Sequence, residues 1–357
     1  MGGRVLVAIS GGVDSAYAAL ALVEDGYEVE GAFLHLCANS RCCTLESEGR
    51  ARHVADWLKI PFHRLDASGT FREQVVERFL DEVRRGRMSN PCTRCNEQVK
   101  FGFLLDYASR EGFDALASGH YARLSPDAAL GSSDPGTTAR RLLRARDRRK
   151  DQSYVLYRLP RTTLGCLLFP LGELSKGEVT ARVKRLFPAW GEVRESQDLC
   201  FLPPGMTLAA FLGEIGIPSR PGPIVDGKGR LLGEHQGLSA YTIGQRQGIG
   251  LAGGPFYVRE LRLQENALVV GSRQEACARL LLAEHLNWMT EAPAGQMQVE
   301  VQIRSGHAAA PATVFLVAQD RLEIQFEEAQ FAVTPGQAAV LYQGEWLLGG
   351  GEIMKAE

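Results

Sequence analysis

The chain has 357 residues and a formal net charge of −2 at neutral pH. At roughly 100–200 residues per domain, this length predicts two or three domains. The near-zero charge excludes a chain that attracts nucleic acid over its whole surface, so any polyanion site is expected to be local. Neither a secretory signal nor a long apolar run is recognisable, and we expect a cytoplasmic protein with no membrane partner.

The N-terminal half alternates predicted strands with predicted helices. Short apolar runs are followed by segments whose apolar residues recur at helical spacing. The predicted strands are 4–9, 28–36, 62–65 and 114–121, and the predicted helices are 14–22, 46–58, 71–83 and 96–108. This alternation predicts an α/β domain with a doubly wound parallel sheet, which binds ligands beyond the carboxyl ends of its strands.

The second half has a different pattern. Ser175 and Glu178 form a predicted capping box, which opens a helix that runs to Phe187. Turn-forming residues dominate 201–279, and from residue 296 apolar and polar residues alternate. That alternation predicts half-buried antiparallel strands in a small barrel or sandwich. We divide the chain into a catalytic domain (1–200), a small central domain (201–282) and a C-terminal β-barrel domain (283–357).

The segment Ser10–Ser15 (SGGVDS) separates the first predicted strand from the first predicted helix. Glycines let the backbone approach an anion, and the start of a helix favours negative charge. The two serine hydroxyls can donate to phosphate oxygens, whereas Asp14 would repel phosphate and therefore implies a bridging divalent cation such as Mg²⁺. The segment matches neither GxxxxGK[ST] nor GxGxxG, and an ordinary tight turn is the alternative.

The eight cysteines are expected to be reduced in a cytosolic chain, with chemical roles for the clustered ones. Cys92 and Cys95 precede a predicted helix, whose N-terminal dipole would lower the thiol pKa and make Cys95 more nucleophilic. Cys200, in the segment ESQDLCF, is a third candidate. For the others we expect core positions (Cys166 and Cys277) or structural to weakly redox roles (Cys37, Cys42 and Cys43), the case for zinc being weak.

SGGVDS in this position resembles the pyrophosphate loop of the ATP pyrophosphatase family. Together with NPxxxCNxxVKF, ASGHYAR, KDQSYVLY, ESQDLCF, GEHQGLSAYTIGQRQGIG and PGQAAVLY, it is similar in order and spacing to the tRNA-specific 2-thiouridylases. The resemblance spans nearly the whole chain. It implies a sulfurtransferase that uses ATP to adenylylate the C2 oxygen of the wobble uridine, position 34 of tRNA, and then replaces that oxygen with sulfur. The implied ATP contacts are Ala8, Ile9, Ser10, Gly11, Gly12, Val13, Asp14, Ser15, Leu34 and Gly119.

The same resemblance implies a route for sulfur. The position that matches Cys200 carries a persulfide, the position that matches Cys95 is the nucleophile, and the pair can close to a disulfide. Many relatives have Asp where this chain has Cys92, so Cys92, Cys95 and Cys200 are also a candidate ligand set for a four-iron four-sulfur cluster. Both routes stay open from the sequence, as does a Cys92 without chemistry. Sulfur would come from a donor protein, such as a cysteine desulfurase or relay, or from free sulfide.

Residues 140–150 contain seven basic side chains, which predict either a solvated face or an RNA contact. A base in a tRNA loop is already single-stranded, so flipping it into a pocket costs little. The resemblance implies tRNA contacts at Asn90, Pro91, Cys92, His120, Lys150, Asp151, Gln152, Arg304, Ser305 and Gln337. Relatives often have an aromatic residue where this chain has Ser305, which puts that contact in doubt.

Two other classes of function remain open from the sequence. One is a different ATP pyrophosphatase, such as an amide-forming synthase, which needs no paired cysteines. The other is a non-enzymatic RNA-binding or iron–sulfur protein, which needs no loop such as Ser10–Ser15 for ATP.

Overall fold

The structure is a computed structural model that describes residues 2–37, 44–125, 140–188, 190, 199–217, 220–293 and 295–357. The strands of the N-terminal part are β1 (Arg4–Ala8), β2 (Glu28–His35), β3 (Phe62–Asp66), β4 (Ala115–Ser118), β5 (Ala122–Leu124), β6 (Leu142–Arg144) and β7 (Leu167–Leu168). Its helices are α1 (Val13–Glu24), α2 (Leu45–Leu58), α3 (Ser68–Phe71), α4 (Arg78–Arg84), α5 (Pro91–Arg94), α6 (Leu104–Arg110) and α7 (Lys176–Leu186). Two π-helices, Arg72–Glu77 and Cys95–Phe103, join α3 to α4 and α5 to α6.

Five of these strands form the parallel sheet that the sequence predicts, in the order β3-β2-β1-β4-β7. Successive residues of β1 face opposite sides: Val5 and Val7 pack into one buried apolar cluster, and Leu6 packs into another. The doubly wound fold is therefore confirmed. Strand order reverses at β1, which lies between β2 and β4, and ligands of such sheets bind at the carboxyl end of this switch point.

The hairpin of β5 and β6 leaves this sheet and pairs with the C-terminal half of the chain. A smaller unit follows, with α8 (Leu208–Glu214), β8 (Gly222–Val225), β9 (Leu231–His235), β10 (Tyr257–Arg262) and β11 (Ala267–Gly271). Its four strands have the order β10-β11-β8-β9. They enclose a small apolar core of their own, which includes Ile224, Val258 and Leu268.

The last six strands form the predicted antiparallel barrel. They are β12 (Cys277–Trp288), β13 (Gln296–Gln302), β14 (Ala310–Ala318), β15 (Arg321–Phe331), β16 (Ala338–Gln343) and β17 (Trp346–Ala356). Pairing of β12 with both β15 and β17 closes the barrel. The domain boundary that we predict at residue 283 falls within β12. No turn-forming residues follow the first apolar residues of this strand, so its start is not marked in the sequence.

The barrel and the N-terminal domain share a core. Val340 and Tyr342 of β16 pack into the same buried cluster as Leu142 and Tyr154. Strand β17 extends the contact, since Trp346 pairs with Leu143 of β6. The barrel is thereby held against the segment that follows β6. None of the described helices is both long and apolar enough to cross a bilayer.

Candidate active site

A cavity of about 1170 Å³ lies at the carboxyl ends of β1, β2 and β4. It brings together most of the residues singled out from the sequence, although these come from distant parts of the chain. The predicted residues that line it are Ala8, Ile9, Ser10, Asp14, Ser15, Leu34, Asn90, Pro91, Cys92, Cys95, Gly119, His120, Asp151, Gln152, Cys200 and Ser305. The predicted residues outside its lining are Gly11, Gly12, Val13, Lys150, Arg304 and Gln337.

The Ser10–Ser15 loop is held from within by one hydroxyl. The Ser15 Oγ accepts from the Ser10 backbone N–H at 3.1 Å and donates to the Gly12 carbonyl at 3.0 Å. Gly12 is the N-cap of α1 and offers no side chain to the first turn. The N–H groups of the first turn therefore have no side-chain cap, and Asp14 and Ser15 of this turn line the cavity. An uncapped helix start is the arrangement that binds phosphate in other folds.

Two glycines let neighbouring elements approach the loop closely. Gly11 has φ +77°, and a Cβ there would lie 2.1 Å from the Ser47 carbonyl oxygen at the start of α2. A Cβ on Gly119, just after β4, would lie 2.8 Å from the Asp14 carbonyl carbon and from the Ser15 nitrogen. Any larger side chain at either position would push the loop out of its place at the cavity wall.

Asp14 is bound by two side chains that the sequence analysis did not single out. The Lys176 Nζ lies 2.7 Å from both carboxylate oxygens, and the Tyr121 hydroxyl donates to one of them at 2.9 Å. Lys176 is the first residue of α7 and directly follows the capping residue Ser175, whose capping box with Glu178 is confirmed. The one feature of the sequence that marks Lys176 is its place directly after the predicted capping residue Ser175.

The cysteine pair does not precede its helix, and that expectation is wrong. Asn90 caps α5, its Oδ1 accepting from the Cys92 N–H at 3.0 Å, so the helix begins at Pro91. Cys92 lies in the first turn and is exposed, whereas Cys95 lies one turn later and is buried. Cys92, and not Cys95, therefore lies in the first turn of the helix.

Cys95 and Cys200 lie on the same side of the molecule. Both line the cavity, and both belong to one apolar cluster that also contains Val99 and Phe201. Cys37 packs against the same cluster, while Cys42 and Cys43 lie outside the described residues. The two cysteines expected in the core, Cys166 and Cys277, are instead partly exposed.

Two inorganic groups place different demands on the described residues. No three His, Cys, Asp or Glu side chains among them are placed to bind a single metal ion. Cys92, Cys95 and Cys200 line one cavity, and a four-iron four-sulfur cluster would take one iron at each of them. Mg²⁺ needs less from the protein, since one or two carboxylates and substrate phosphates complete its shell. The carboxylate of Asp14, in the cavity wall beside an uncapped helix start, fits that requirement.

His120 faces the cavity from an apolar wall. Its Nδ1 shares a hydrogen bond with the Ser118 hydroxyl at 2.9 Å, and its ring lies within 6.3 Å of the rings of Phe101 and Phe169. Burial lowers the pKa of His120 well below its ordinary value, and the nearby Lys100 charge acts in the same direction. The ring is neutral at physiological pH and can contact a base, but it does not neutralise a phosphate.

Asp151, which was expected to contact tRNA, makes its ion pair and hydrogen bonds to other residues of the protein. Its side chain is only 7% exposed and pairs with Arg144 at 3.4 Å. It also accepts from the backbone N–H groups of Ala145 and Ser153, and the Ser153 hydroxyl is 3.0 Å from the Tyr342 hydroxyl of the barrel. The Asp151–Tyr342 chain of bonds therefore fixes the cavity wall to the barrel.

The neighbours of Asp151 differ in how many of their polar atoms bond to other residues of the protein. The Gln152 Oε1 accepts from the Tyr121 N–H at 2.9 Å, which leaves its amide nitrogen to face the cavity. Lys150 is half-buried. Two arginines of the 140–150 segment interact within the protein. Arg148 forms an ion pair with Glu345 at 2.9 Å, and the Arg141 guanidinium lies 4.0 Å from the ring centre of Trp346.

Three barrel residues expected at the RNA surface lie near the rim of the cavity. Ser305 is exposed and lines it, and Arg304 is half-buried beside it. The Gln337 amide donates to the Met88 carbonyl, and the Met88 N–H donates to Pro335 at 3.2 Å. Gln337 therefore holds the barrel against the loop that leads into Asn90.

Comparison with known proteins identifies three family models along the chain. A tRNA methyl transferase HUP domain matches residues 3–204, more than half of the chain. A tRNA methyl transferase PRC-barrel domain matches 209–272, and an aminomethyltransferase β-barrel domain matches 278–353. These descriptions name methyl transfer, whereas the full-length relatives are named for thiolation.

Relatives match the chain from end to end. A protein from Synechococcus sp. named tRNA-specific 2-thiouridylase MnmA is 43% identical, with 99% of this chain and 98% of that protein covered. Proteins of the same name from Roseiflexus castenholzii and Carboxydothermus hydrogenoformans are 42% and 40% identical, each with 99% of this chain and at least 98% of the relative covered.

Proposed function

The chain belongs to the family of tRNA-specific 2-thiouridylases, and on that premise we propose that its cavity thiolates the wobble uridine of tRNA with ATP. It is an ATP-dependent tRNA sulfurtransferase. The observation that carries the proposal is that one cavity contains the Ser10–Ser15 loop together with Cys95 and Cys200. A methyl transferase would need neither a triphosphate loop nor a pair of thiols facing it.

We place ATP in the part of the cavity next to the carboxyl ends of β1, β2 and β4. We assign its contacts to Ala8, Ile9, Ser10, Gly11, Gly12, Val13, Asp14, Ser15, Leu34 and Gly119. The uncapped N–H groups at the start of α1 bind phosphate oxygens, and Lys176 adds a positive charge next to them. Asp14 would hold Mg²⁺, which supplies further neutralisation of the phosphates when it is bound.

The first step activates the base. The C2 oxygen of the uridine attacks the α-phosphorus of ATP, and pyrophosphate leaves with the electron pair of the broken P–O bond. The oxygen is now part of an AMP leaving group at C2, so a carbonyl that sulfur could not displace becomes displaceable. The apolar wall at His120 would help to keep water from the activated carbon once both substrates fill the cavity.

The second step transfers sulfur. The terminal sulfur of a Cys200 persulfide attacks C2 and AMP leaves with its oxygen, so the base is joined to Cys200 through a disulfide bond. The Cys95 thiolate then attacks the Cys200 sulfur, which forms a Cys95–Cys200 disulfide and releases 2-thiouridine. An external dithiol then reduces the disulfide, and a desulfurase-type protein passes sulfane sulfur from its own persulfide to the Cys200 thiolate. With sulfide as the source, sulfide instead attacks the Cys200 sulfur of the Cys95–Cys200 disulfide, which forms the Cys200 persulfide and releases the Cys95 thiol, so that no dithiol is needed.

The tRNA contacts remain our assignment. They are Asn90, Pro91, Cys92, His120, Lys150, Asp151, Gln152, Arg304, Ser305 and Gln337. Support comes from the shared cavity lining of seven of them and from the position of the others near its rim. Asp151 and Gln337 contribute mainly by holding the wall in place, since their polar atoms bond within the protein.

A four-iron four-sulfur cluster on Cys92, Cys95 and Cys200 is the competing sulfur carrier. Its support is that the three cysteines line one cavity. We write the steps above for the persulfide, which needs only Cys95 and Cys200. Anaerobic purification followed by iron and sulfide analysis and a visible spectrum decides between them, because the persulfide route predicts thiolation by iron-free protein.

The predicted domain division follows the same proposal: 1–200 binds ATP and carries Cys95 and Cys200, 201–282 is a small central domain, and 283–357 holds most of the barrel, whose first strand begins earlier, at Cys277. The function is tested with purified protein, tRNA, ATP and a donor of sulfane sulfur, such as a cysteine desulfurase with cysteine. We expect 2-thiouridine at position 34 by nucleoside mass spectrometry, with AMP and pyrophosphate formed in equal amounts. A methylated base, or AMP formed without thiolated tRNA, would refute it. The Cys166→Ser variant is the matched control and should behave as wild type.

A further inference from the structure

Asn96 directly follows Cys95 and lines the same cavity, yet the steps above give it no role. Its side chain is 1% exposed. The Nδ2 donates to the Val155 carbonyl at 3.0 Å. Within the part of the chain that the structure describes, the buried Oδ1 has no hydrogen-bond partner. Native proteins rarely leave a buried acceptor in this condition, so this atom calls for an explanation.

The orientation of the Asn96 amide is fixed by its surroundings. Exchanging oxygen and nitrogen would set the amide oxygen against the Val155 carbonyl oxygen and break the bond that the Nδ2 makes. The atom without a partner is therefore an acceptor. Asn96 is also the second residue of the π-helix Cys95–Phe103, a rare conformation that is frequent at functional sites.

We propose that the Asn96 Oδ1 accepts a hydrogen bond from the N3–H of the target uracil and thereby selects uridine. This inference rests on the proposed function. N3 is bonded to C2, the carbon that sulfur attacks, so an acceptor for N3–H is expected in the part of the cavity that holds the reacting cysteines. Asn96 follows Cys95 in the chain and lines the same cavity as Cys95 and Cys200. Cytosine carries a lone pair on N3 and would place one acceptor against another.

Bound ATP would bring a second hydrogen-bond donor into the same cavity, the amino group of its adenine. The expected adenine position is near Leu34 on β2, whereas Asn96 lies on the helix of the reacting cysteine. The neighbourhood of Cys95 therefore favours the uracil. Because the Oδ1 is covered in the structure, the base reaches it with a small displacement of the surrounding side chains.

The test removes the N3–H group from the RNA and the Asn96 amide from the whole protein, singly and together, and compares the effects on activity. Anticodon stem–loop RNAs carry either uridine or 3-deazauridine, which has C–H in place of N3–H, at the target position. The kcat/KM for RNA-dependent AMP formation is measured for wild type and for Asn96→Leu. We expect wild type to lose at least about tenfold with 3-deazauridine, and Asn96→Leu to be slow with uridine but to lose no further activity with the analogue.

Asn287→Leu is the matched control. The Asn287 amide also donates to backbone carbonyls of the 155–159 segment, at Tyr157 and Leu159, but it lies outside the cavity lining. This variant is expected to change stability without changing the ratio of kcat/KM for the two RNAs. Asn96→Ser replaces Asn96→Leu if the latter fails to fold.

Two results would overturn the inference. One is a wild type that distinguishes the two RNAs by no more than about twofold, a comparison that needs no variant. The other is an Asn96→Leu variant that keeps the wild-type ratio, and if this variant also loses ATP affinity, the acceptor is assigned to adenine. A wild type that forms no AMP with the uridine RNA refutes the proposed function itself, and the inference with it.

Discussion

The Lys176 ammonium lies 2.7 Å from both carboxylate oxygens of Asp14, although 162 residues separate the two in the chain. Helix α7 packs against α1, and its first residue therefore reaches the loop that we assign to the triphosphate. The pair balances the charge of Asp14 in the structure. When phosphates and Mg²⁺ enter, both charges are in place to bind them.

Replacement of Lys176 by Met should impair ATP use far more than folding. Both side chains are partly exposed, at 23% and 27%, so we expect a stability loss of no more than about 1 kcal/mol. RNA-dependent AMP formation should fall by at least about tenfold, because one phosphate-directed charge is removed. Arg182→Gln is the control, since Arg182 pairs with Glu24 between the same two helices but away from the cavity. Equal AMP formation by Lys176→Met and wild type would contradict the assignment.

Cys95→Ser and Cys200→Ser should each abolish thiolation while ATP and tRNA binding remain. Serine keeps the size of the side chain but can neither carry a persulfide nor close a disulfide. The measurement is 2-thiouridine in tRNA by mass spectrometry, together with binding isotherms for ATP and tRNA. Cys166→Ser and Cys277→Ser, at partly exposed thiols outside the cavity lining, should thiolate normally. Thiouridine from either of the first two variants would exclude the persulfide mechanism.

The bonds that join Asp151 to the barrel should contribute measurably to stability. Tyr342→Phe removes the hydroxyl partner of Ser153 and should cost about 0.5–1.5 kcal/mol. Asp151→Ala removes an acceptor from Arg144 and from two backbone N–H groups, and should cost about 1.5–3 kcal/mol. Urea unfolding gives both values. Tyr241→Phe, whose hydroxyl is 3.5 Å from its acceptor, is the control and should be nearly neutral.

His120 should make the folded protein sensitive to acid. Burial lowers its pKa, so below about pH 6.5 the unfolded chain binds a proton at this position that the folded chain does not. The stability contributed by the neutral ring is therefore present above that pH and is lost as the pH falls. The free energy of unfolding, measured from pH 7.5 to 5.0, should fall less steeply for His120→Asn than for wild type. Parallel profiles for wild type and His120→Asn would show that His120 is not involved.

Local patterns predicted the architecture well. Alternating strands and helices indicate the parallel sheet, and period-2 runs indicate the barrel, because both patterns record which face of an element is buried. The start of α5 was missed for a physical reason. Its signal is the Asn90 cap followed by Pro91 in the first turn, whereas apolar spacing becomes visible only later in the helix.

The candidate site was predictable where residues act through local conformation, as in Ser10–Ser15. It was not predictable where partners meet only in the folded chain. Nothing near Asp14 in sequence indicates Lys176, and nothing near Asp151 indicates Tyr342. The orphaned acceptor of Asn96 is also visible only after burial and hydrogen bonding are known.

The central claim is that the uridine oxygen leaves as part of AMP. It is tested most directly with RNA that carries ¹⁸O at C2 of the target uridine, in one turnover with ATP and persulfide-loaded protein. The account predicts one ¹⁸O in the phosphate of AMP for each 2-thiouridine formed, seen by mass spectrometry. Thiolated RNA accompanied by unlabelled AMP would contradict it, because the oxygen would then have left C2 without ever being adenylylated.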